Sequence, residues 1–125
     1  MNQSMSWLLV ALGSAAGGML RWLIAGALQR PHFPAGTLAV NVAGSLLVGF
    51  IAARLGDATD ATTNATRLLL ITGFCGGFTT FSALSIETLR LAQEGRGGRA
   101  LLYVAASVAL GLGAGAAGWM LGRRG

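Results

Sequence analysis

The sequence predicts an all-α integral membrane protein of four transmembrane helices per chain, the third broken near its middle. Three observations carry that prediction. The first is composition: 54% of the 125 residues are hydrophobic, 10% are charged, and mean hydropathy is +0.65, a membrane profile rather than a soluble one. The second is spacing, because a hydrocarbon core about 30 Å thick needs roughly 20 apolar residues per helical span. Four such stretches, at about 7–28, 36–53, 67–91 and 100–121, make residues 1–125 a single four-span domain. The third is the run Gly76, Gly77, Phe78, Thr79 and Thr80 inside the third stretch. A glycine pair followed by β-branched hydroxyl residues weakens a helix locally.

Each span has its own boundary signals. The first is interrupted by Arg21 and closes on the polar turn Gln29, Arg30, Pro31 and His32, with Pro34 confirming the stop. Its apolar start lacks the basic leading region of a secretory signal. The second carries no charge until Arg54. Between them and the third span, residues 56–66 are rich in Asp, Thr, Asn and Ala and read as one long water-exposed loop. The third ends near Arg90, a short Gly-rich loop follows, and the fourth closes with Arg123 and Arg124. Small residues repeat at close-packing spacing in Gly13 with Gly17, Gly111 with Gly115, and Gly118 with Gly122. Such pairs let membrane helices approach closely, and 20 glycines provide more packing surface than one four-helix unit uses. An oligomer is expected.

The charges exclude some functions and point to an unusual topology. All nine basic residues are arginine, and no soluble face exists to carry a phosphate-binding stripe, so nucleic-acid binding is not expected. The lone Cys75 forms neither an internal disulfide nor a Cys-Cys metal pair. With four spans, one side of the membrane carries Arg54, Arg67, Arg123 and Arg124, and the other Arg30, Arg90, Arg96 and Arg99. Orientation is normally set by an excess of basic residues on the cytoplasmic side, and here the two sides balance. The expectation is insertion in both orientations and assembly as an antiparallel, dual-topology homodimer.

Polar groups inside the spans mark the candidate site. Arg21 lies on the order of 5 Å beyond the middle of the first span, where a buried cation is costly unless it faces water or a partner. Chain direction places Glu87 in the same half of the membrane, and an Arg21–Glu87 ion pair is expected. Asn41 and Ser45, Ser82 and Ser85, and Tyr103 and Ser107 fall between that side and the midplane, with Asn41/Ser45 and Tyr103/Ser107 sharing helix faces. Neutral donors beside a cation suit a small anion, since they replace its hydration shell without a repelling carboxylate. The electropositive edges of Phe78 and Phe81 suit it too. Unwound backbone in the break frees carbonyl oxygens, which a hard cation would satisfy.

The chain resembles a known family in these residues. Gly36, Thr37, Leu38, Asn41 and Gly44, then the run from Gly73 to Ser82 and later Glu87, with Gly17, Gly18 and Arg21, are similar to the signature of the Fluc (CrcB) fluoride ion channels. The likeness spans essentially the whole chain. It implies an antiparallel homodimer that exports fluoride passively across the bacterial cytoplasmic (inner) membrane, with membrane lipid around it. It also implies a structural sodium ion at the dimer centre, held by the backbone carbonyls of Gly76 and Thr79. Phe81 matches a pore-lining aromatic, and Asn41, Ser82, Tyr103 and Ser107 match the polar pathway. Leu84 departs from the pattern, standing where the family commonly has a second phenylalanine. No catalytic constellation is present, so no enzyme is expected. The alternative reading is a small dual-topology proton-coupled multidrug exporter, which would need a carboxylate near the midplane.

Overall fold

The computed structural model describes all residues from Met1 to Gly125. Six α-helices and one π-helical segment follow in order: α1 (Gln3–Leu28), α2 (Ala35–Leu55), α3 (Ala61–Thr66), the π segment (Arg67–Cys75), α4 (Gly76–Phe78), α5 (Phe81–Gln93) and α6 (Gly97–Arg123). Four stretches are long and apolar enough to cross a membrane: α1, α2, the combined segment Ala61–Gln93, and α6. The spans expected from the sequence are all present, each extended by a few residues where polar end turns stay helical.

The stretch 56–66 differs from its expectation as an open loop. Asp60 caps a short helix there, its Oδ1 accepting from the Thr63 N–H at 3.0 Å and its Oδ2 from the Thr63 hydroxyl at 2.6 Å. Those two bonds, the hydroxyl's first, hold the exposed Asp60 carboxyl below its usual pKa of 3.8. Arg67 folds back to donate to the carbonyls of Ala58, at 2.6 Å, and Gly56. The connection is thereby tied to the start of the third span.

Packing follows the glycines. The π segment and α4 lie on α1, and α6 lies along α2. At Gly13 an added Cβ would meet Phe74 N at 2.8 Å and the Cα of Gly73 at 2.9 Å; at Gly77 it would meet Ser14 Cα at 2.9 Å. Across the α2–α6 contact, Gly118 rests against the Leu46 and Phe50 backbone. Backbones this close leave no room for larger residues, and dispersion contacts take over the role that water exclusion has in soluble cores. Gly111 and Gly115 are looser, each with a nearest neighbour at 3.7 Å.

The third span is interrupted at two residues only. Thr79 (φ −90°, ψ 160°) and Thr80 (φ −152°, ψ 112°) are extended, whereas Gly76 is helical (φ −62°, ψ −38°). The glycine pair expected to unwind the helix stays within it, because Gly77 is needed for contact with α1. At the interruption the span changes partner: residues before it pack on α1, and α5 packs on α6. Only 15 of 125 residues are buried within the single chain, with Trp22, Phe81 and Leu112 left 76%, 79% and 73% exposed.

Candidate functional site

Thr79 and Thr80 lie at the centre of the site, and Asn41 on α2 holds them. Its Oδ1 accepts from the Thr80 N–H at 2.7 Å, and its Nδ2 donates to the Thr80 carbonyl at 3.1 Å. The side-chain amide thus satisfies the Thr80 N–H, which has lost its helical acceptor, and adds a second donor to the Thr80 carbonyl. The Thr80 hydroxyl accepts from the Ala83 N–H at 3.1 Å and restarts the helix as an N-cap. Thr79 turns its hydroxyl back to the Cys75 carbonyl at 2.9 Å. The carbonyls of Gly76 and Thr79 accept no backbone hydrogen bond outside the regular helices and receive no side-chain donor.

Two grooves open on this interruption. One, about 380 Å³, is lined by Gly76, Thr79, Thr80, Cys75 and Ile71 on the third span and by Asn41 and Ser45 on α2. The other, about 550 Å³, runs between α2, α5 and α6 past Asn41, Ser45, Phe81, Leu84, Ser107 and Gly111. The donors in this groove are unevenly committed. Ser45 donates to the Asn41 carbonyl at 2.7 Å, inside its own helix. Asn41 Nδ2 carries two hydrogens, of which Thr80 takes one. Ser107 Oγ is buried and has no hydrogen-bond partner at all.

The remaining residues singled out in the sequence fall elsewhere. Ser85 donates to the Phe81 carbonyl at 3.0 Å and Ser82 pairs with the Thr80 hydroxyl at 3.1 Å; neither lines these two grooves. Tyr103 is fully buried, with its ring edge-on to Phe33 at 5.5 Å between centroids, and its hydroxyl donates to Glu87 Oε2 at 2.7 Å. Tyr103 and Ser107 therefore share a helix face but not an environment. The second aromatic, Phe78, is buried and stacks on Phe74 at 5.8 Å. Leu84 does border the groove, one turn from Phe81, and also packs on the cluster of Leu91, Ala100 and Tyr103.

The expected Arg21–Glu87 ion pair is not formed. Arg21 Nε donates to the Gly77 carbonyl at 3.0 Å, while Glu87 accepts from Thr37 at 2.9 Å, from Tyr103, and from Gln29 at 3.5 Å. The sole ion pair is the exposed Arg96–Glu94 contact at 2.7 Å. Both groups instead face a shared cavity of about 600 Å³, together with Gln29, Thr37 and Thr80. Neutral donors around a carboxylate satisfy it without a second desolvated charge. The contacts of Thr37 and Gln29 to Glu87 were not identifiable from sequence, since no local pattern signals a contact to a residue fifty or more positions away. The N-cap role of Thr80 was not read from the sequence, where it stood only as part of the break.

Four apolar helices, an interrupted third span held by a side-chain amide, and donor-bearing grooves beside it define a small multi-pass membrane protein with an internal polar site. The family described as CrcB-like protein, Camphor Resistance (CrcB), matches residues 8–119. A protein named fluoride-specific ion channel FluC from Rhizobium etli (strain CIAT 652) is 47% identical over 109 residues, covering 85% of this chain and 86% of that one. A protein of the same name from Chlorobaculum tepidum is 49% identical over 107 residues, covering 84% of each chain. Another from Hydrogenobaculum sp. (strain Y04AAS1) is 38% identical over 109 residues, covering 86% and 88%. The chain belongs to the CrcB family.

Proposed function

We propose that this chain is a fluoride-specific ion channel that lowers cytoplasmic fluoride by passive export across the bacterial cytoplasmic membrane, giving fluoride resistance. The observation that carries the reading is the groove bordered by Ser107, whose buried hydroxyl has no partner, together with the spare hydrogen of Asn41 Nδ2 and the exposed ring of Phe81. Buried polar groups are nearly always paired, so a hydroxyl without a protein partner here supports a site for a small acceptor. Small and strongly hydrated, fluoride needs such donors to replace its water, and an aromatic edge adds a weak positive field without fixing the ion. The names of the relatives point to the same ion. In this reading Ser82 and Ser85 line further stretches of the path, Tyr103 supports its wall from behind through Glu87, and Arg21 raises the local positive potential.

The driving force needs no coupling. Fluoride enters as neutral HF, dissociates in the more alkaline cytoplasm and is trapped as an anion, which the membrane potential then expels through a selective leak. A proton-coupled multidrug exporter is not favoured. Glu87, the sole acid deep in the spans, already accepts from three neutral donors, and Arg21 beside it opposes cationic cargo.

The functional unit proposed is an antiparallel homodimer with the interruption at Thr79–Thr80 near the membrane midplane. Support comes from the balanced arginines at the two ends and from the exposed Trp22, Phe81 and Leu112, surfaces that lipid or a second copy would cover. A structural sodium ion fits the same arrangement. The Gly76 and Thr79 carbonyls are neutral, hard oxygen donors bordering one concavity, and a two-fold partner would bring a second pair. Bound there, the cation would supply a fixed positive centre; this chain's part is to keep Thr80 extended through its bonds to Asn41, next to the Gly76 and Thr79 carbonyls.

Reconstitution into liposomes loaded with fluoride tests the function. A fluoride electrode should record efflux well above that of empty liposomes, with chloride and a cationic dye retained. Efflux equal to the empty control, or dye movement in its place, contradicts the channel.

A further inference from the structure

A concavity of about 370 Å³ at one end of the bundle is lined by Arg30, Pro31, His32, Phe33, Arg99 and Leu102, and the fluoride pathway does not use it. It contains two arginines, a histidine and no acid. Each guanidinium makes one hydrogen bond, to a backbone carbonyl: Arg30 Nη1 to Gln29 at 3.5 Å and Arg99 Nη1 to His32 at 3.3 Å. Neither is in an ion pair. The acids of the adjoining concavity are Glu94, paired with Arg96, and Glu87, held by Thr37, Tyr103 and Gln29. Two positive charges therefore face the same space with most of their donors free.

The turn beneath this space is restrained. Pro31 and Pro34 restrict the turn, the Phe33 N–H donates back to the Arg30 carbonyl at 3.4 Å, and the Phe33 ring is fixed edge-on against Tyr103. Its position is equally specific. The turn joins the end of α1 to the start of α2, and Arg99 lies in the first turn of α6. All three are helices fit to span a membrane, so the cavity sits at the boundary between hydrocarbon and water. Leu102 on its wall is 60% exposed and continues into Leu101, 72% exposed, along the outer face of α6. A cationic pocket opening onto an apolar strip matches a phosphate headgroup with acyl chains below it.

We propose that Arg30, Arg99 and His32 form a binding site for the phosphate of an anionic phospholipid. Guanidinium forks bind phosphate oxygens in paired hydrogen bonds, and the Leu102 side receives the first acyl carbons. The apolar wall favours a lipid over free phosphate as the source.

The test uses the purified full chain in a neutral detergent. Its thermal unfolding midpoint is followed against short-chain phosphatidylglycerol, short-chain phosphatidylcholine and inorganic phosphate, since a ligand that binds only the folded state raises that midpoint. Phosphatidylglycerol should bind at least about tenfold more tightly than either alternative. Arg30→Gln combined with Arg99→Gln should weaken it roughly thirtyfold, from a factor of about five per arginine near a lipid surface. Arg123→Gln with Arg124→Gln, the same charge change at the opposite end, should alter it less than about threefold. Equal binding of phosphatidylcholine, or an equal loss in the opposite-end variant, overturns the proposal. Equal binding of inorganic phosphate overturns the lipid as occupant. Should the first double variant fail to fold, Leu102→Glu keeps both arginines and sets an acid on the wall; at least a tenfold loss is expected, and unchanged affinity contradicts the site. The readout does not depend on fluoride flux.

Discussion

Ser107 and Asn41 carry opposite obligations at the same groove. Asn41 spends most of its amide on Thr80, so it is a structural clamp with one hydrogen to spare. Ser107 spends nothing on the fold. The two should therefore separate in experiment. Ser107→Ala removes an unsatisfied buried hydroxyl, so thermal unfolding in detergent should be unchanged or later, a gain of up to about 1 kcal/mol, while fluoride efflux falls at least about tenfold. Wild-type efflux in that variant contradicts the assignment of the groove. The polar residues themselves were legible in the sequence because hydroxyls and amides in an apolar span are conspicuous. Which of them had a hydrogen to offer was not legible. That depends on whether each side chain bonds to its own helix, as Ser45 and Ser85 do, or to another span. The Arg21–Glu87 expectation failed for the same reason: the two residues do border one cavity, but rotation about each helix axis was not available, and a backbone carbonyl and three neutral donors took the places reserved for opposite charge.

The third span behaves as two elements joined by two extended residues. Four apolar stretches and their order follow from hydropathy alone, and the weak point expected between Gly76 and Thr80 contains the two extended residues, Thr79 and Thr80. Its exact extent was not, because the glycine pair reads as a helix breaker until the facing helix is known. Gly77 instead lies against Ser14, and the helix persists until β-branched Thr79 and Thr80 can be paid for by Asn41. The two kinds of glycine predict opposite signs. Gly118→Ala would push a Cβ into the Leu46 and Phe50 backbone, where Leu46 C lies at 2.9 Å and Phe50 N at 3.0 Å, and should destabilise the chain by about 1–3 kcal/mol. Gly113→Ala, five residues away on α6 with nothing within 4 Å, should be neutral or stabilising by up to about 1 kcal/mol. Unfolding midpoints of the two variants in one detergent check the pair. Equal shifts would mean that close backbone approach does not organise the α2–α6 contact.

At the scale of the whole molecule, the chain leaves most of its apolar surface uncovered and sets four arginines at each end, apart from Arg21. Nothing in that balance prefers one orientation. Fusions of a periplasmic and a cytoplasmic reporter to the carboxyl terminus should both be active at comparable levels; activity of one alone contradicts dual topology. The fluoride channel remains the central claim, and its mechanism has an electrical signature that efflux alone lacks. A passive channel carries one charge per ion and is indifferent to protons, whereas a coupled exporter is driven by them. The decisive measurement is the reversal potential of the reconstituted protein in a planar bilayer. Under a tenfold fluoride gradient the account predicts about 59 mV, unmoved by a pH gradient and absent under a chloride gradient of the same size. A potential that follows the pH gradient, or an equal one for chloride, would contradict it.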